Sequence, residues 1–182
     1  MWKSEGEMRA VVRFVWYEWE MFSWGMEVIT STVLVGREPD DWNVGTADQG
    51  ETKDALIEVT LLHARELRDF LGRCRDELKP FEQTDIVAGD FFDKPGEWVP
   101  HKIPSISPKA ERERLNRSLA HLAYDRAAYE TTGKDWDFKP IFCEITAAWN
   151  AFLAALPDER KEWFDEERDQ RPVRRGRPRT PA

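Results

Sequence analysis

Apolar residues recur every three or four positions in the N-terminal part of the chain, which is the spacing of one face of an amphipathic α-helix. The pattern predicts a first helix from about Met8 to Val33. The residues that share its apolar face are Val11, Val15, Phe22, Met26 and Ile29. An acidic stretch with glycine and proline follows at residues 36–50 and predicts a loop.

A second stripe of apolar residues predicts a helix from about Glu51 to Cys74. The residues on this stripe are Leu56, Val59, Leu67, Phe70 and Leu71. The next segment, residues 78–107, contains four prolines and is too long for a simple connection between helices. Its aromatic residues, among them Phe92 and Trp98, predict that it folds back onto the protein, with one short helix in QTDIVAGDFF.

Two further long helices are predicted in the second half of the chain. The third predicted helix begins with Ser107 as its N-cap and ends near Thr131. The fourth runs from about Asp137 to Leu156, and a short amphipathic segment follows it. No strand-like alternation separates these segments. The sequence therefore predicts an all-α protein, an antiparallel four-helix bundle with a long ordered loop between helices two and three.

The C-terminal residues differ in composition from the rest of the chain. Residues 168–182 carry six arginines against one aspartate, a net charge of +5, and few apolar side chains. We therefore predict one helical bundle domain at residues 1–167 and a disordered Arg/Pro-rich tail at residues 168–182.

Charge and composition narrow the class of protein. The whole chain has a net charge of −8, which leaves −13 for the predicted domain and argues against broad nucleic-acid binding by it. No apolar run reaches the length of a membrane span and the N-terminus lacks the apolar region of a signal peptide, so we expect a cytoplasmic protein without membrane contact. Cys74 and Cys143 match no metal-ligand spacing and are expected to be buried free thiols.

The third predicted helix carries several polar side chains close together. The residues within one sector of about 100° are Arg114, Arg117, Ser118, His121 and Asp125. The simplest interpretation is a solvated helix face with i, i+4 charge pairs. The functional interpretation is a small polar site in a groove between helices.

An arginine followed at four to six residues by a histidine, as Arg114 is by His121, resembles the HEPN domain (higher eukaryotes and prokaryotes nucleotide-binding). Many members of that family are dimeric, metal-independent ribonucleases. The resemblance implies that His121 transfers the proton of a ribose hydroxyl while Arg114 or Arg117 holds the scissile phosphate, with His63 behind them. It also implies a homodimer, RNA or a nucleotide as the ligand, and no cofactor.

Four stretches, VWYEWEMF, LLHARELRDFL, DIVAGDFF and LAHLAYDR, are similar to patterns in a group of small uncharacterised bacterial helical proteins. This resemblance covers residues 10–155. It supports a helical fold and implies no activity.

Two polar residues, Glu18 and His63, fall inside the apolar stripes of the first two predicted helices. Each needs a partner, because an unpaired buried charge costs on the order of several kcal/mol. The simplest interpretation is a structural hydrogen bond from Glu18 to His63, or from Glu18 to Arg65 or another arginine, that fixes the register of the bundle.

A metal site is the alternative for the same residues. Glu18, His63 and His121 would supply a two-histidine, one-carboxylate ligand set suited to iron, zinc or manganese. Asp85, Asp90 and His101 in the long connection would complete a site, although acids near helix starts are more often caps.

The tail contains a short motif at Arg174, Arg175, Gly176, Arg177 and Pro178 that resembles the core of an AT-hook. In that family the Arg-Gly-Arg segment lies in the narrow minor groove of A/T-rich DNA. The resemblance implies a DNA contact by the tail, and a solvated tail is the simpler interpretation.

Three functional hypotheses follow. The leading one is a HEPN-like bundle that acts in RNA cleavage or in RNA or nucleotide binding. The rivals are a non-catalytic interaction module whose inward polar groups only specify packing, and a metal-binding helical bundle. The ribonuclease requires His121 at its site, the interaction module requires Glu18 and His63 only for packing, and the metal-binding bundle requires all three residues as ligands.

Overall fold

The computed structural model describes residues 4–33, 43–44, 51–82, 84–94, 96–106 and 136–171. The α-helices within these ranges are α1 (Glu5–Val28), α2 (Glu51–Gly72), α3 (Phe138–Ala155) and α4 (Asp158–Gln170). A π-helical turn, Ile29–Val33, extends α1. The prediction of an all-α bundle is confirmed. None of the described helices combines the length and apolarity that crossing a bilayer requires.

The only extended pairing among the described residues is two residues long on each side. Strand β1 (Asn43–Val44) pairs antiparallel with β2 (Trp136–Asp137). Asp137 also caps α3, because its carboxylate accepts a hydrogen bond from the backbone N–H of Lys139 at 3.1 Å. The pairing therefore fixes the start of α3.

The ends of two helices differ from their predicted positions. Ser4 and Glu7 form a capping box, in which each side chain accepts a hydrogen bond from the other residue's backbone N–H, so α1 begins three residues before the predicted start. Helix α4 continues to Gln170, which is three residues into the segment predicted as tail.

Ring contacts define the directions of the helices around α1. Phe22 of α1 lies 6.2 Å from Phe142 of α3, and Trp19 stacks on Trp149 at 5.0 Å. A later residue of α1 therefore meets an earlier one of α3, so the two helices are antiparallel. The same argument holds for α1 and α2, where Gly25 lies against Thr60 and Glu18 meets His63.

The core is a cluster of aromatic side chains shared by three helices and the long connection. Its central members are Trp16, Phe91, Trp149, Phe152 and Phe164. The indole N–H of Trp16 donates to the backbone carbonyl of Phe164 at 2.8 Å, so this buried donor is satisfied. Helix α4 is thus part of the core.

The long connection between α2 and the second half of the chain packs on the body, as predicted. Its described residues include four short 3-10 turns, at Arg75–Glu77, Pro80–Glu82, Ala88–Phe91 and Pro104–Ile106. Phe91, Phe92 and Trp98 are buried. The short helix expected in QTDIVAGDFF is the single turn Ala88–Phe91. The backbone N–H of His101 donates to the Leu71 carbonyl at 3.0 Å and ties the connection to the end of α2.

The cysteines are free, as predicted, but the prediction that they are buried is wrong. Both thiols are free, but Cys143 is exposed and Cys74 is half-buried. The buried positions of α3 are Phe138, Ile141, Ile145, Ala148, Trp149 and Phe152. Cys143 falls on the opposite side of that helix, because it lies about 200° around the axis from Ile141.

Candidate functional site

Glu18 and His63 form a hydrogen bond between α1 and α2. Nδ1 of His63 donates to Oε2 of Glu18 over 2.6 Å. The His63 side chain is 9% exposed and the Glu18 side chain is 29% exposed. The bond predicted from the sequence is therefore present, and it lies at the edge of the helix interface.

Gly25 allows α1 to approach α2 closely enough for this bond. A Cβ atom on Gly25 would lie 3.0 Å from Cβ of Thr60 and would overlap its hydroxyl oxygen. Thr60 is fully buried, and its hydroxyl donates to the Leu56 carbonyl at 2.7 Å. Glu18 lies two turns before Gly25 on the same side of α1, which places its carboxylate beside His63.

Tyr17 covers one side of the pair. Its ring meets the His63 imidazole edge to face, with centroids 5.6 Å apart and planes at 83°. Within the described part of the chain, Nε2 of His63 makes no hydrogen bond. The Glu18 carboxylate therefore selects the tautomer with the proton on Nδ1 and leaves Nε2 as an acceptor.

Three residues of the predicted apolar face of α2, Leu67, Phe70 and Leu71, are buried, whereas Val59 is 38% exposed. The buried side of the helix also includes Ile57, Thr60, Leu61, Ala64 and Arg68. His63 lies on the flank of this face and not at its centre. The apolar pattern does not reveal this side of the helix, because it includes the polar residues Thr60 and Arg68. Their side chains donate hydrogen bonds to the backbone carbonyls of Leu56 and Ile106. On α1, Glu18 is likewise at the edge of the buried face.

Five large apolar side chains form a surface on the side of the α1–α2 pair that faces away from α3. We call this surface, Phe14, Tyr17 and Trp24 of α1 with Val59 and Leu62 of α2, the outer face. Their exposed fractions are 52%, 46%, 38%, 38% and 40%. The α1 residues occupy one sector of about 80° and the α2 residues one of about 60°. Tyr17 of this face contacts His63, so the outer face lies next to the Glu18–His63 pair.

Acidic residues flank Leu62 on α2. Glu66 and Glu58 lie one helical turn on either side of Leu62. Burial raises the pKa of Glu66, and the neighbouring carboxylates of Asp69 and Glu18 raise that pKa further against the opposing effect of Arg65. Part of the Glu66 side chain, 47%, remains exposed.

The sequence analysis missed the outer face, although a signal was present. Helix α1 carries apolar residues at positions 14, 17, 21 and 24 in addition to its buried stripe. A helix that buries a single face does not need a second apolar row. This excess of apolar residues is the feature that indicates the surface.

The residues named for RNA cleavage on the third predicted helix, Arg114, Arg117 and His121, lie outside the described residues, as does the tail motif Arg174–Pro178. Of the three predicted metal ligands, Glu18 and His63 are together, and their meeting with His121 stays a prediction. Among the residues that the structure describes, no group of three His, Cys, Asp or Glu side chains is arranged to hold a metal ion.

The polar residues of the long connection have structural partners. Asp90 binds the Arg75 guanidinium and accepts a hydrogen bond from the backbone N–H of Val87 at 3.1 Å, which is the capping role expected of an acid there. His101 is exposed, and its ring stacks on Trp98 with centroids 5.1 Å apart. These contacts hold the connection in place.

A cleft of about 300 Å³ lies between α1 and α4. Both of its acidic side chains are in ion pairs: Arg9 pairs with Glu166 at 2.5 Å, and Arg171 at the end of α4 pairs with Glu167 at 3.0 Å. Arg171 also binds Glu20 of α1. These ion pairs fasten α4 to α1, so we assign the cleft a structural role.

Comparison of the chain with protein-family models, curated proteins and solved structures found no match. The fold and the site define the class directly: an all-α bundle in which a histidine–carboxylate pair joins two helices beneath an exposed apolar face.

Proposed function

We propose that this chain is a non-catalytic interaction module that binds another protein through the outer face. The observation that carries the proposal is the set of five large apolar side chains that are 38% to 52% exposed on two adjacent helices. Large apolar side chains that are exposed together on one side of a protein often mark a binding site.

The contacts between α1 and α2 support this proposal. The close contact of Gly25 with Thr60 and the 2.6 Å bond between Glu18 and His63 hold α1 and α2 at one separation and register. A surface on two helices that are fixed relative to each other does not have to be ordered when the partner binds, which lowers the free-energy cost of association. In this proposal the polar pair is structural.

The test compares two variants that add the same charge to an exposed apolar position. Leu62→Glu changes the outer face, and Val99→Glu changes a side chain in the long connection that is 72% exposed. Proteins that co-purify with the wild-type chain from its own cells are identified, purified and titrated against all three chains. We expect Leu62→Glu to weaken binding at least tenfold and Val99→Glu to leave it unchanged. Equal binding by both variants would contradict the proposal.

A ribonuclease of the HEPN type is the second candidate function. The observation that favours it is that Glu18 binds one ring nitrogen of His63 and leaves Nε2 available to accept or donate a proton. In this proposal His121 and Arg114 or Arg117 complete the site.

This candidate predicts that His121→Ala abolishes RNA cleavage and leaves the thermal unfolding midpoint nearly unchanged, because the lost group acts on the substrate. Cleavage of a labelled RNA and thermal unfolding are measured on the same preparations. A well-folded wild-type dimer that cleaves no RNA would exclude this candidate.

A further inference from the structure

We infer that residues 172–182 dock on the outer face of the same chain and compete there with the partner protein. We call these residues the arginine segment. The inference rests on the proposed function and adds how the same face is regulated.

Arg171 brings the chain to the outer face. Its guanidinium binds the Glu20 carboxylate and donates to the backbone carbonyl of Arg13 at 2.6 Å. Tyr17 lies one helical turn after Arg13 and almost one turn before Glu20, so both contacts are next to this residue on the surface of α1. Tyr17 belongs to the outer face and is 46% exposed. The arginine segment, which follows Arg171 directly, therefore begins beside the outer face.

The arginine segment is long enough to cross this face. Its eleven residues span at most about 36 Å when extended. The row from Phe14 to Trp24 is about 15 Å long on α1, and two packed helices lie about 8–10 Å apart, which sets the distance to Leu62 on α2. The segment therefore reaches every side chain of the outer face from its start at Arg171.

Opposite net charges attract the arginine segment to the rest of the chain. The segment contains four arginines and no acidic residue, a net charge of +4. Because the whole chain has a net charge of −8, residues 1–171 carry −12. Arg65, the cation near Leu62 on α2, pairs with Glu66 at 3.9 Å, so its charge is partly balanced. The attraction keeps the segment close to the folded part of the chain, and it weakens as salt is added.

Exposed aromatic rings select the outer face as the place of contact. Arginine guanidinium groups bind favourably over aromatic rings. Such contacts occur in this chain, where Arg13 lies over Phe14 at 4.6 Å and Arg160 lies over Trp163 at 4.1 Å. Phe14 and Tyr17 remain 52% and 46% exposed, so they offer ring surface to the arginines of the segment.

A weak contact is sufficient for regulation, because the segment belongs to the same chain as its site. A short tether gives an effective concentration on the order of 1 mM. A contact with a dissociation constant of about 0.1 mM would then be formed about nine-tenths of the time and would weaken partner binding about tenfold. The partner has to displace the segment before it binds.

Photo-crosslinking from the outer face tests the contact in the full chain. Benzoylphenylalanine replaces Phe14 in one chain and Val99, which is 72% exposed in the long connection, in the control chain. A mixture of isotope-labelled and unlabelled chains separates crosslinks within one chain from crosslinks between two, and mass spectrometry locates them. A third chain keeps the probe at position 14 and carries four substitutions in the segment, Arg174→Gln, Arg175→Gln, Arg177→Gln and Arg179→Gln.

We expect the probe at position 14 to crosslink to the arginine segment of the same chain at least fivefold more than the probe at position 99. The glutamine substitutions should reduce this yield at least threefold, because they remove the guanidinium groups and leave the length of the segment unchanged. Circular dichroism confirms that all three chains are folded. Equal yields from the two positions, equal yields with arginine and glutamine, or crosslinks between chains alone would overturn the inference.

Partner binding separates this inference from the proposed function. The protein that co-purifies with the wild-type chain is titrated against wild type, the glutamine variant and the glutamine variant with Leu62→Glu. We expect the glutamine variant to bind about tenfold more tightly than wild type, and the added Leu62→Glu to weaken that binding at least tenfold. If the glutamine variant binds like wild type while Leu62→Glu still weakens binding, the inference fails and the interaction module stands. If the crosslinks form but Leu62→Glu has no effect, the segment docks on a face that binds no partner, and the proposed function fails.

Discussion

The bond between Glu18 and His63 pairs a buried side chain with a partly exposed one. It is short, it joins two helices, and the imidazole is almost fully buried while the carboxylate keeps contact with water. If the bond is broken, water can replace the lost hydrogen bond of Glu18 more easily than that of His63. Removal of Glu18 therefore leaves the more costly unpaired group.

We predict that Glu18→Ala lowers the free energy of unfolding by about 1–3 kcal/mol, because it leaves a buried imidazole N–H without an acceptor. Glu18→Gln should lose less, since its amide oxygen still accepts from Nδ1. Urea unfolding at neutral pH measures both changes. If alanine and glutamine have the same effect, the hydrogen bond is not what stabilises the pair.

The negative charge of Glu66 opposes folding. Because burial raises its pKa in the folded chain, the ionised carboxylate destabilises the fold above that pKa, and the cost vanishes once the pH is below the unfolded value of about 4.3. Glu66→Gln should therefore raise stability at pH 7, by no more than about 1 kcal/mol for a half-exposed group. Unfolding measured from pH 7 down to pH 4 should show the gain disappear. A gain that is constant with pH would contradict this cause.

Among the elements, the crossing of α1 and α2 depends on one glycine. An alanine in place of glycine usually stabilises a helix interior by about 1 kcal/mol. At Gly25 the added methyl group would overlap Thr60, which is fully buried and unable to move aside. Steric overlap should therefore outweigh helix propensity at this position.

We predict that Gly25→Ala destabilises the protein by about 1–3 kcal/mol, the usual cost of overpacking a core. Gly6→Ala is the matched control, since nothing lies within 4 Å of its new Cβ, and it should be neutral or stabilising. Adding Thr60→Ala to Gly25→Ala should recover part of the loss. Thermal or urea unfolding of the four chains checks the prediction, and equal effects of the two glycine substitutions would refute it.

Helices α1, α2 and α3 could be predicted from the sequence, because apolar periodicity reports directly on which segments are amphipathic. The orientation of α2 could not, because Thr60 and Arg68 are buried with partners that the local pattern does not reveal. Arg68 binds the Ile106 carbonyl, which is 38 residues away. The Glu18–His63 bond was predictable because both residues interrupt apolar stripes, and each needs a partner.

At the scale of the whole molecule, Phe164 joins the last helix to the rest of the core. Its ring lies 5.2 Å from Phe91 in the connection, 5.4 Å from Phe152 of α3 and 6.4 Å from Trp16 of α1. Separate elements that share one cluster unfold together, since none of them can leave without exposing the others. We therefore expect one cooperative transition.

We predict that Phe164→Ala lowers the free energy of unfolding by about 3–5 kcal/mol, as for other buried aromatic residues. Phe14→Ala removes the same atoms from a side chain that is 52% exposed and should cost less than about 1 kcal/mol in the monomer. Urea unfolding followed by tryptophan fluorescence and by circular dichroism should give coincident curves. Separate transitions for the two signals would show that α4 is an independent unit.

The place of α4 in the core sets a practical limit on how the gene can be trimmed. Pro157 looks like a natural point at which to stop expression, but a product ending there would lack Trp163 and Phe164 and would leave the indole N–H of Trp16 without its acceptor. Affinity tags and fusion partners therefore belong after Arg171, whose side chain fastens the last helix to Glu20.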